Sequence, residues 1–207
     1  MVLAIDISIW HFQVRSGKEG SNPLIRTFYY RLCRLLQLNI KAIFVFDGPN
    51  KPAFKRNHYA GGRPAPEQQE ELNYMKLLIS AFGFLSWDAP GEAEAEAAVL
   101  QRLGIVDLVI TEDVDCIMFG ARRVAREITN TNKTRSHVYI YEDVERITGL
   151  DKEGLVLIAM MSGGDYLPAG LPACGPISAV EVFTSQTMLI ADCESRIWEK
   201  VDVHKEL

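Results

Sequence analysis

The sequence predicts an α/β fold on three observations. Short runs of β-branched and aromatic residues alternate with amphipathic helical stretches along the chain. Val2-Leu-Ala-Ile5, Ile43-Phe-Val-Phe46 and Val106-Asp-Leu-Val-Ile110 have the length and apolarity of buried strands. Each is followed at its carboxyl end by acid: Asp6, Asp47, and the pair Asp113 and Asp115 within Thr111-Glu-Asp-Val-Asp-Cys116. Ligands of open α/β sheets bind at that edge, so parallel pairing of these strands would bring the carboxylates to one patch.

Convergence of that kind limits what the patch can be. Two like charges ~4 Å apart repel by roughly 4 kcal/mol at an effective dielectric of ~20. A group of carboxylates is therefore either partly protonated or bound to cations, and an all-oxygen set suits Mg²⁺, Mn²⁺ or Ca²⁺ rather than zinc. A single strand-end Asp is as readily a helix cap or a turn former. Repetition of the same placement on three strands favours the ligand patch.

Composition narrows the field further. With 207 residues, 48% of them hydrophobic, the chain suits one domain, or one core with a small appendage. A formal net charge of -5 argues against a generally basic nucleic-acid binder and leaves room for local basic patches. Cys33, Cys116, Cys174 and Cys193 lie far apart, with no CxxC pair, and read as reduced thiols of a cytosolic or nuclear protein. The longest apolar run, Leu155 to Met161, falls well short of a membrane span. No signal peptide is evident, and the terminal His-Lys-Glu-Leu207 is taken as chance resemblance to a retrieval tail.

In order, the first strand is followed by Ile7 to Arg15 at helical spacing, where His11 is an ordinary helix residue, and by the turn-rich Gly17 to Pro23. Leu24 to Leu38 predicts an amphipathic helix with Leu32, Leu35 and Leu36 inward. After Asp47, residues Lys51 to Arg63 form the most basic segment, with Lys51, Lys55, Arg56 and Arg63 interleaved by Phe54 and Tyr59; a phosphate contact and a solvated loop both fit. Glu67 to Phe82 predicts a second amphipathic helix, turning Leu72, Met75, Leu78, Ile79 and Phe82 inward, and Phe84 to Trp87 a short strand. Pro90 and Gly91 open a helix carrying Glu92, Glu94 and Glu96. Acids there also answer the helix macrodipole, and on a regular helix Glu92 and Glu96 share a face while Glu94 points away.

Beyond the central motif lie a second basic cluster, Arg122, Arg123 and Arg126, then a polar loop at Asn130 to Ser136 and a strand at His137 to Tyr141. Glu153 to Met161 predicts a helix ending at the glycine-rich Ser162-Gly-Gly-Asp-Tyr166. A turn-dense stretch, Leu167 to Pro176, precedes a short helix at Ile177 to Phe183 and a weakly helical tail. There are no repeats, low-complexity tracts or clear linkers.

Asp6 after the first strand, Phe-Asp47-Gly-Pro, Ala-Pro-Gly-Glu92-Ala-Glu94-Ala, Thr-Glu-Asp113-Val-Asp115 and Gly-Gly-Asp165-Tyr follow one another in this order. Together they resemble the flap-endonuclease/XPG nuclease superfamily over most of residues 2–183, and most of all its GEN/Yen-type Holliday junction resolvase branch of filamentous fungi. The resemblance implies a three-layer α/β fold with a mostly parallel sheet and helices on both faces. This PIN-like nuclease core would span about 1–150. A small helical region, about 151–207, would hold Asp165 and a partial helix–two-turn–helix element.

The resemblance also implies a site. Asp6, Asp47, Glu92, Glu94, Asp113, Asp115 and Asp165 would hold two Mg²⁺, with Mn²⁺ able to substitute, for phosphodiester hydrolysis. It selects Glu94, not Glu96. Lys55 and Arg56 would orient the scissile phosphate, with Lys51 as a further DNA contact. Backbone around Gly170, Gly175 and Ser178 would grip duplex phosphates, with a K⁺ ion. The implied partner is branched double-stranded DNA, Holliday junctions or 5′ flaps, met in the nucleus by a chain that is monomeric in solution and dimeric on a junction, with no membrane.

Four departures qualify this. The chain opens directly in a strand, without the family's Met-Gly start, and a fragment of a longer protein is expected. The segment between Asp47 and Lys55 differs in length from flap endonucleases. Ile177 stands where a lysine is usual. The rest of the DNA-binding region is not in this sequence, so an intact metal site with incomplete junction cutting is expected. The rivals are a general 5′ flap endonuclease or exonuclease, and a non-catalytic nuclease-fold module that binds DNA.

Overall fold

The computed structural model describes residues 1–15, 22–52, 54–55, 58–59, 65–126, 137–165 and 167–192. Its strands β1 (Val2–Asp6), β2 (Lys41–Phe46), β5 (Leu85–Asp88), β6 (Leu108–Ile110), β7 (Arg123–Arg126) and β8 (His137–Ile140) form one sheet in the order β5-β2-β1-β6-β7-β8. All neighbours pair in parallel except β7 with β8, which is antiparallel. Two two-residue strands, β3 (Phe54–Lys55) and β4 (His58–Tyr59), pair separately as a hairpin.

Alternation along the strands sorts the side chains into two layers. Leu3 and Ile5 of β1 and Ala42, Phe44 and Phe46 of β2 enter one core, against helices α1 (Ile7–Arg15), α2 (Pro23–Gln37) and α3 (Pro66–Ala81), through Trp10, Phe28, Leu32, Leu35, Met75 and Ile79. Trp10, Phe28, Phe44 and Phe84 meet there edge to face, with ring centroids 5.6 to 6.1 Å apart. The intervening Ala4, Ile43, Val45 and Val109 are equally buried on the opposite face. That face is covered by helix α4 (Ala93–Arg102), whose buried Ala93, Ala97, Ala98 and Leu100 include three alanines. Small side chains let it lie close to the sheet. Helices α5 (Asp115–Met118) and α6 (Tyr141–Thr148) complete this unit, Met1–Lys152.

The second unit, Glu153–Leu207, contains nearly all of α7 (Lys152–Ser162) and α8 (Pro176–Asp192). Between the two helices the chain makes two successive turns. Gly170 and Cys174 donate backbone hydrogen bonds to Leu167 and Leu171, and Leu171 N–H reaches back to Met161 at 2.7 Å. A Cβ on Gly170, at φ +55, would lie 2.6 Å from both Gly163 N and Met161 O, so this doubling back requires glycine there.

Several sequence expectations change. Arg123 and Arg126 belong to a sheet strand, β7, which arginines at both its ends disguised as a charge cluster. Leu36 is 52% exposed, because the buried face of α2 runs through Phe28, Leu32 and Leu35 instead. The short helix at Ile177 to Phe183 extends to Asp192. His11 is a helix residue, as expected, but it is buried and has a partner, its Nε2 lying 2.7 Å from Glu71 Oε2 of α3. No described helix is long and apolar enough to cross a membrane.

Candidate metal centre

Register places the acids at one end of the sheet. Asp6 pairs with Val45 and Ile5 with Ile110, so Asp6 and Thr111 leave adjacent strands at the same level and Asp47 follows two residues further along the neighbouring strand, at the same end of the sheet. Beyond β6, Asp115 N–H donates to Asp113 Oδ1 at 3.0 Å, and a carboxylate oxygen of each lies within 4.8 Å of the other. The strand ends are then laced together by neutral donors. Ser8 N–H donates to Asp6 Oδ1 at 2.9 Å, and its hydroxyl donates to Asp47 Oδ2 at 3.0 Å. Thr111 donates its hydroxyl to Asp6 Oδ2 at 3.2 Å and accepts Asp113 N–H at 3.1 Å.

Helix α4 delivers the glutamates through a backbone junction. Gly48 N–H donates to Gly91 O at 2.7 Å, Asn50 N–H to Pro90 O at 3.0 Å, and Ala89 N–H to Phe46 O at 2.9 Å. These bonds fuse the Asp47-Gly-Pro-Asn50 and Ala89-Pro-Gly-Glu92 loops. A Cβ on Gly48 would fall 1.7 Å from Ala89 O, closer than atoms can approach, so only glycine permits the junction. The first helical N–H, from Ala93, then donates to Asp47 Oδ1 at 2.9 Å, a carboxylate at a helix N-terminus.

The helix begins at Ala93 with Glu92 as an extended N-cap (φ -77, ψ 139), two residues later than Pro90 and Gly91 suggest. Counting 3.6 residues per turn from Glu92 therefore misassigns the faces. Glu94 is buried at 8% exposure, and its charge acts on the Cys116 thiol together with those of Asp6 and Asp113. Glu96 turns outward and accepts Trp87 Nε1–H at 2.9 Å. The helical-face pairing of Glu92 with Glu96 is thus corrected in favour of Glu94.

The electrostatics follow from burial first and from the neighbouring acids second. Burial, foremost, pushes the Asp6 carboxyl up from 3.8 to about 6, and the Asp47 charge adds to this; the Ser8 N–H and the Thr111 and Ser8 hydroxyls pull it part of the way back. Burial followed by Glu94, Asp6 and Asp113 raises the Cys116 thiol, which donates to Glu94 O at 3.4 Å and stays protonated. Lys51 supplies a cation, its Nζ 2.9 Å from Asp47 Oδ2.

The first unit thus brings together Asp6, Asp47, Glu94, Asp113 and Asp115, with Glu92 at the head of α4. Asp165, in the second unit, is buried at 7% exposure just after the Gly163-Gly164 break. Lys55 lies in β3, while Arg56 falls outside the described residues, as do Arg63, the 130–136 loop and the tail beyond 192. Gly170 and Gly175 lie in the turns of the second unit and Ser178 is exposed in the first turn of α8. Sequence reasoning missed Ser8 and Thr111, whose only signal was their nearness to Asp6 and Asp113. It also missed Gln101, whose amide bonds the backbone of Asp107, Arg122 and Arg123 and ties α4 to β6 and β7.

Comparison with known proteins agrees with this geometry. Residues 1–65 match the XPG N-terminal domain and residues 83–165 the XPG I-region. The human Flap endonuclease GEN homolog 1 is 31% identical over 209 residues, covering 90% of this chain but 23% of that protein, so the chain spans about a quarter of its length. Flap endonuclease 1 of Pyrococcus furiosus is 30% identical, covering 87% of this chain and 68% of the relative. The crystal structure of the Holliday junction-resolving enzyme GEN1 with product DNA and Mg²⁺ superposes with a TM-score of 0.76 at 42% identity, covering 99% of this chain and 50% of that one. A potassium-bound GEN-1 structure superposes equally well, with 40% identity. With the sheet order, the acid-bearing strand ends and these matches in agreement, the chain belongs to the flap-endonuclease/XPG nuclease family.

Proposed function

We propose that this chain is the catalytic portion of a structure-specific endonuclease that hydrolyses phosphodiester bonds in branched DNA, Holliday junctions or 5′ flaps. The observation that carries the reading is the lattice at the strand ends: Ser8, Thr111 and Ala93 donate to the carboxylates of Asp6 and Asp47, while Thr111 also accepts the backbone N–H of Asp113. An all-carboxylate donor set, with one member buried and its carboxyl raised mainly by that burial, fits hard divalent ions. Asp6, Asp47, Glu92, Glu94, Asp113, Asp115 and Asp165 would hold two Mg²⁺ or Mn²⁺. Bound there, the ions supply Lewis acidity toward the attacking water and the leaving oxygen.

The chain's own residues do the rest. Ser8 and Thr111 fix the carboxylate orientations, and the Gly48 junction fixes Asp47 against the start of α4. Lys55 and Arg56 orient the scissile phosphate, with Lys51 beside Asp47 as a third cation near the cut. The turns at Gly170 to Gly175 and the start of α8 at Ser178 grip a distant duplex phosphate through backbone groups, with K⁺ held by turn carbonyls. The potassium-bound neighbour supports this last element. A monomer in solution that pairs on a four-way junction, acting in the nucleus, completes the reading.

The test is cleavage of matched labelled substrates, a Holliday junction, a 5′ flap, a splayed arm and plain duplex, each with Mg²⁺, Ca²⁺ or chelator. Mg²⁺-dependent cutting at the branch point, absent with chelator, is expected. Equal cutting of plain duplex, or branch cutting that survives chelation, overturns the proposal. Cutting of the flap alone removes the junction-resolving part.

A further inference from the structure

The geometry points to Thr111 as a positioning residue that sets the metal selectivity of the centre, an inference that rests on the nuclease reading above. Thr111 is 2% exposed and joins two separate parts of the acidic set. Its hydroxyl oxygen accepts the Asp113 N–H, which leaves the single hydroxyl proton for Asp6 Oδ2. Asp6 and Thr111 are 105 positions apart, and no other hydrogen bond among the described residues runs directly between Asp6 and the loop beyond β6. The relay continues from Asp113 Oδ1 to Asp115 N–H at 3.0 Å. Thr111 itself is anchored by its backbone N–H to Ala125 O of β7 at 3.3 Å. Its side chain therefore has one way to satisfy both neighbours, and in that orientation it fixes the spacing of Asp6 from Asp113.

Fixed spacing matters more to one ion than to another. Mg²⁺ demands near-octahedral geometry at short distances, whereas Ca²⁺ accepts irregular sets at longer ones. A relay that holds the carboxylates in place favours the smaller ion; loosening it costs Mg²⁺ more than Ca²⁺. Partners that orient ligands are worth about 10- to 100-fold in metal affinity.

The experiment titrates Mg²⁺, Ca²⁺ and Mn²⁺ calorimetrically into the intact chain and its Thr111→Val, Thr111→Ser and Thr111→Ala variants, with no DNA present. Val matches Thr in shape, and the Ser–Ala pair repeats the hydroxyl comparison in a smaller side chain should Thr111→Val not fold. Loss of the hydroxyl is expected to weaken Mg²⁺ binding by about 10-fold or more and Ca²⁺ binding by clearly less, with Thr111→Ser close to the wild type. Equal losses for both ions mean mere destabilisation, and unchanged Mg²⁺ binding means no role; either result overturns the inference while leaving the nuclease reading in place. A wild-type chain that binds no divalent ion overturns both.

Discussion

Removing the charge of Asp6 should stabilise the metal-free protein while destroying its response to Mg²⁺. Asp6 is 3% exposed, and its carboxyl is raised from 3.8 to about 6. For an acid whose folded value lies above its unfolded one, the stabilising contribution is full below the unfolded value and is lost as pH rises through the folded one. The window therefore lies between about pH 4 and pH 6 to 7, and the full effect is about 3 kcal/mol at 1.36 kcal/mol per pH unit. Between pH 5 and pH 7 alone, the same linkage gives a loss of about 1.3 kcal/mol.

The assay is urea unfolding in chelator at those two pH values, for the wild type and Asp6→Asn. The difference between the two proteins cancels the titration of every group not coupled to Asp6. Wild type should lose about 1.3 kcal/mol relative to Asp6→Asn on going from pH 5 to pH 7. At pH 7 the Asn protein should be the more stable in chelator, by less than the full 3 kcal/mol because its amide keeps only part of the bonding to Ser8 and Thr111. Adding Mg²⁺ should raise the midpoint of the wild type only. A difference that stays flat or grows in favour of the wild type with rising pH would refute the argument that burial raises this carboxyl.

Glu94→Gln should lower cleavage by at least about 100-fold, beyond the usual loss for an orienting partner, whereas Glu96→Gln, which loses only an exposed bond to Trp87, should stay within about twofold. Single-turnover rates on one flap substrate would separate them, and equal losses would reinstate the helical-face pairing. Gly48→Ala should cost about 3 kcal/mol or more, because its Cβ meets a backbone oxygen that cannot yield; the melting temperature reads this directly. Gln101→Ala should cost about 1 to 3 kcal/mol through four lost hydrogen bonds, with the rate at saturating Mg²⁺ largely kept once the protein is folded.

Strand-end acids could be read from the sequence because two rules coincide there. A buried strand needs an apolar run, and the first polar residue after it lies on the ligand-binding edge, so Asp6, Asp47 and the Asp113–Asp115 pair stand out. Glu94 could not be chosen over Glu96 by periodicity, because the choice depends on where the helix starts. Its start is set by the Gly48 junction, a backbone packing event with no periodic signature. β7 escaped notice for a similar reason: arginines at both its ends hide two buried residues, Val124 and Ala125, between them. Ser8 and Thr111 carry no pattern at all. Their part depends on donors meeting carboxylates across the sheet, which only register determines.

Central strand β1 precedes its neighbour β6 by about a hundred residues, and this decides when the carboxylates can meet. β1 can pair with β2 once the first helices are made, bringing Asp6 and Asp47 together early. Its other neighbour, β6, emerges about a hundred residues later, and both Val2 N–H to Asp107 and Thr111 to Asp6 span 105 positions. Contacts this distant in sequence pay their loop-closure entropy before they return anything, so they form late. A nascent chain shorter than β6 would carry half a centre with no grip on a divalent ion. Of the seven acids proposed as ligands, Asp113 and Asp115 would join only once β6 is made and Asp165 later still in the chain, so a grip on divalent ions would come late.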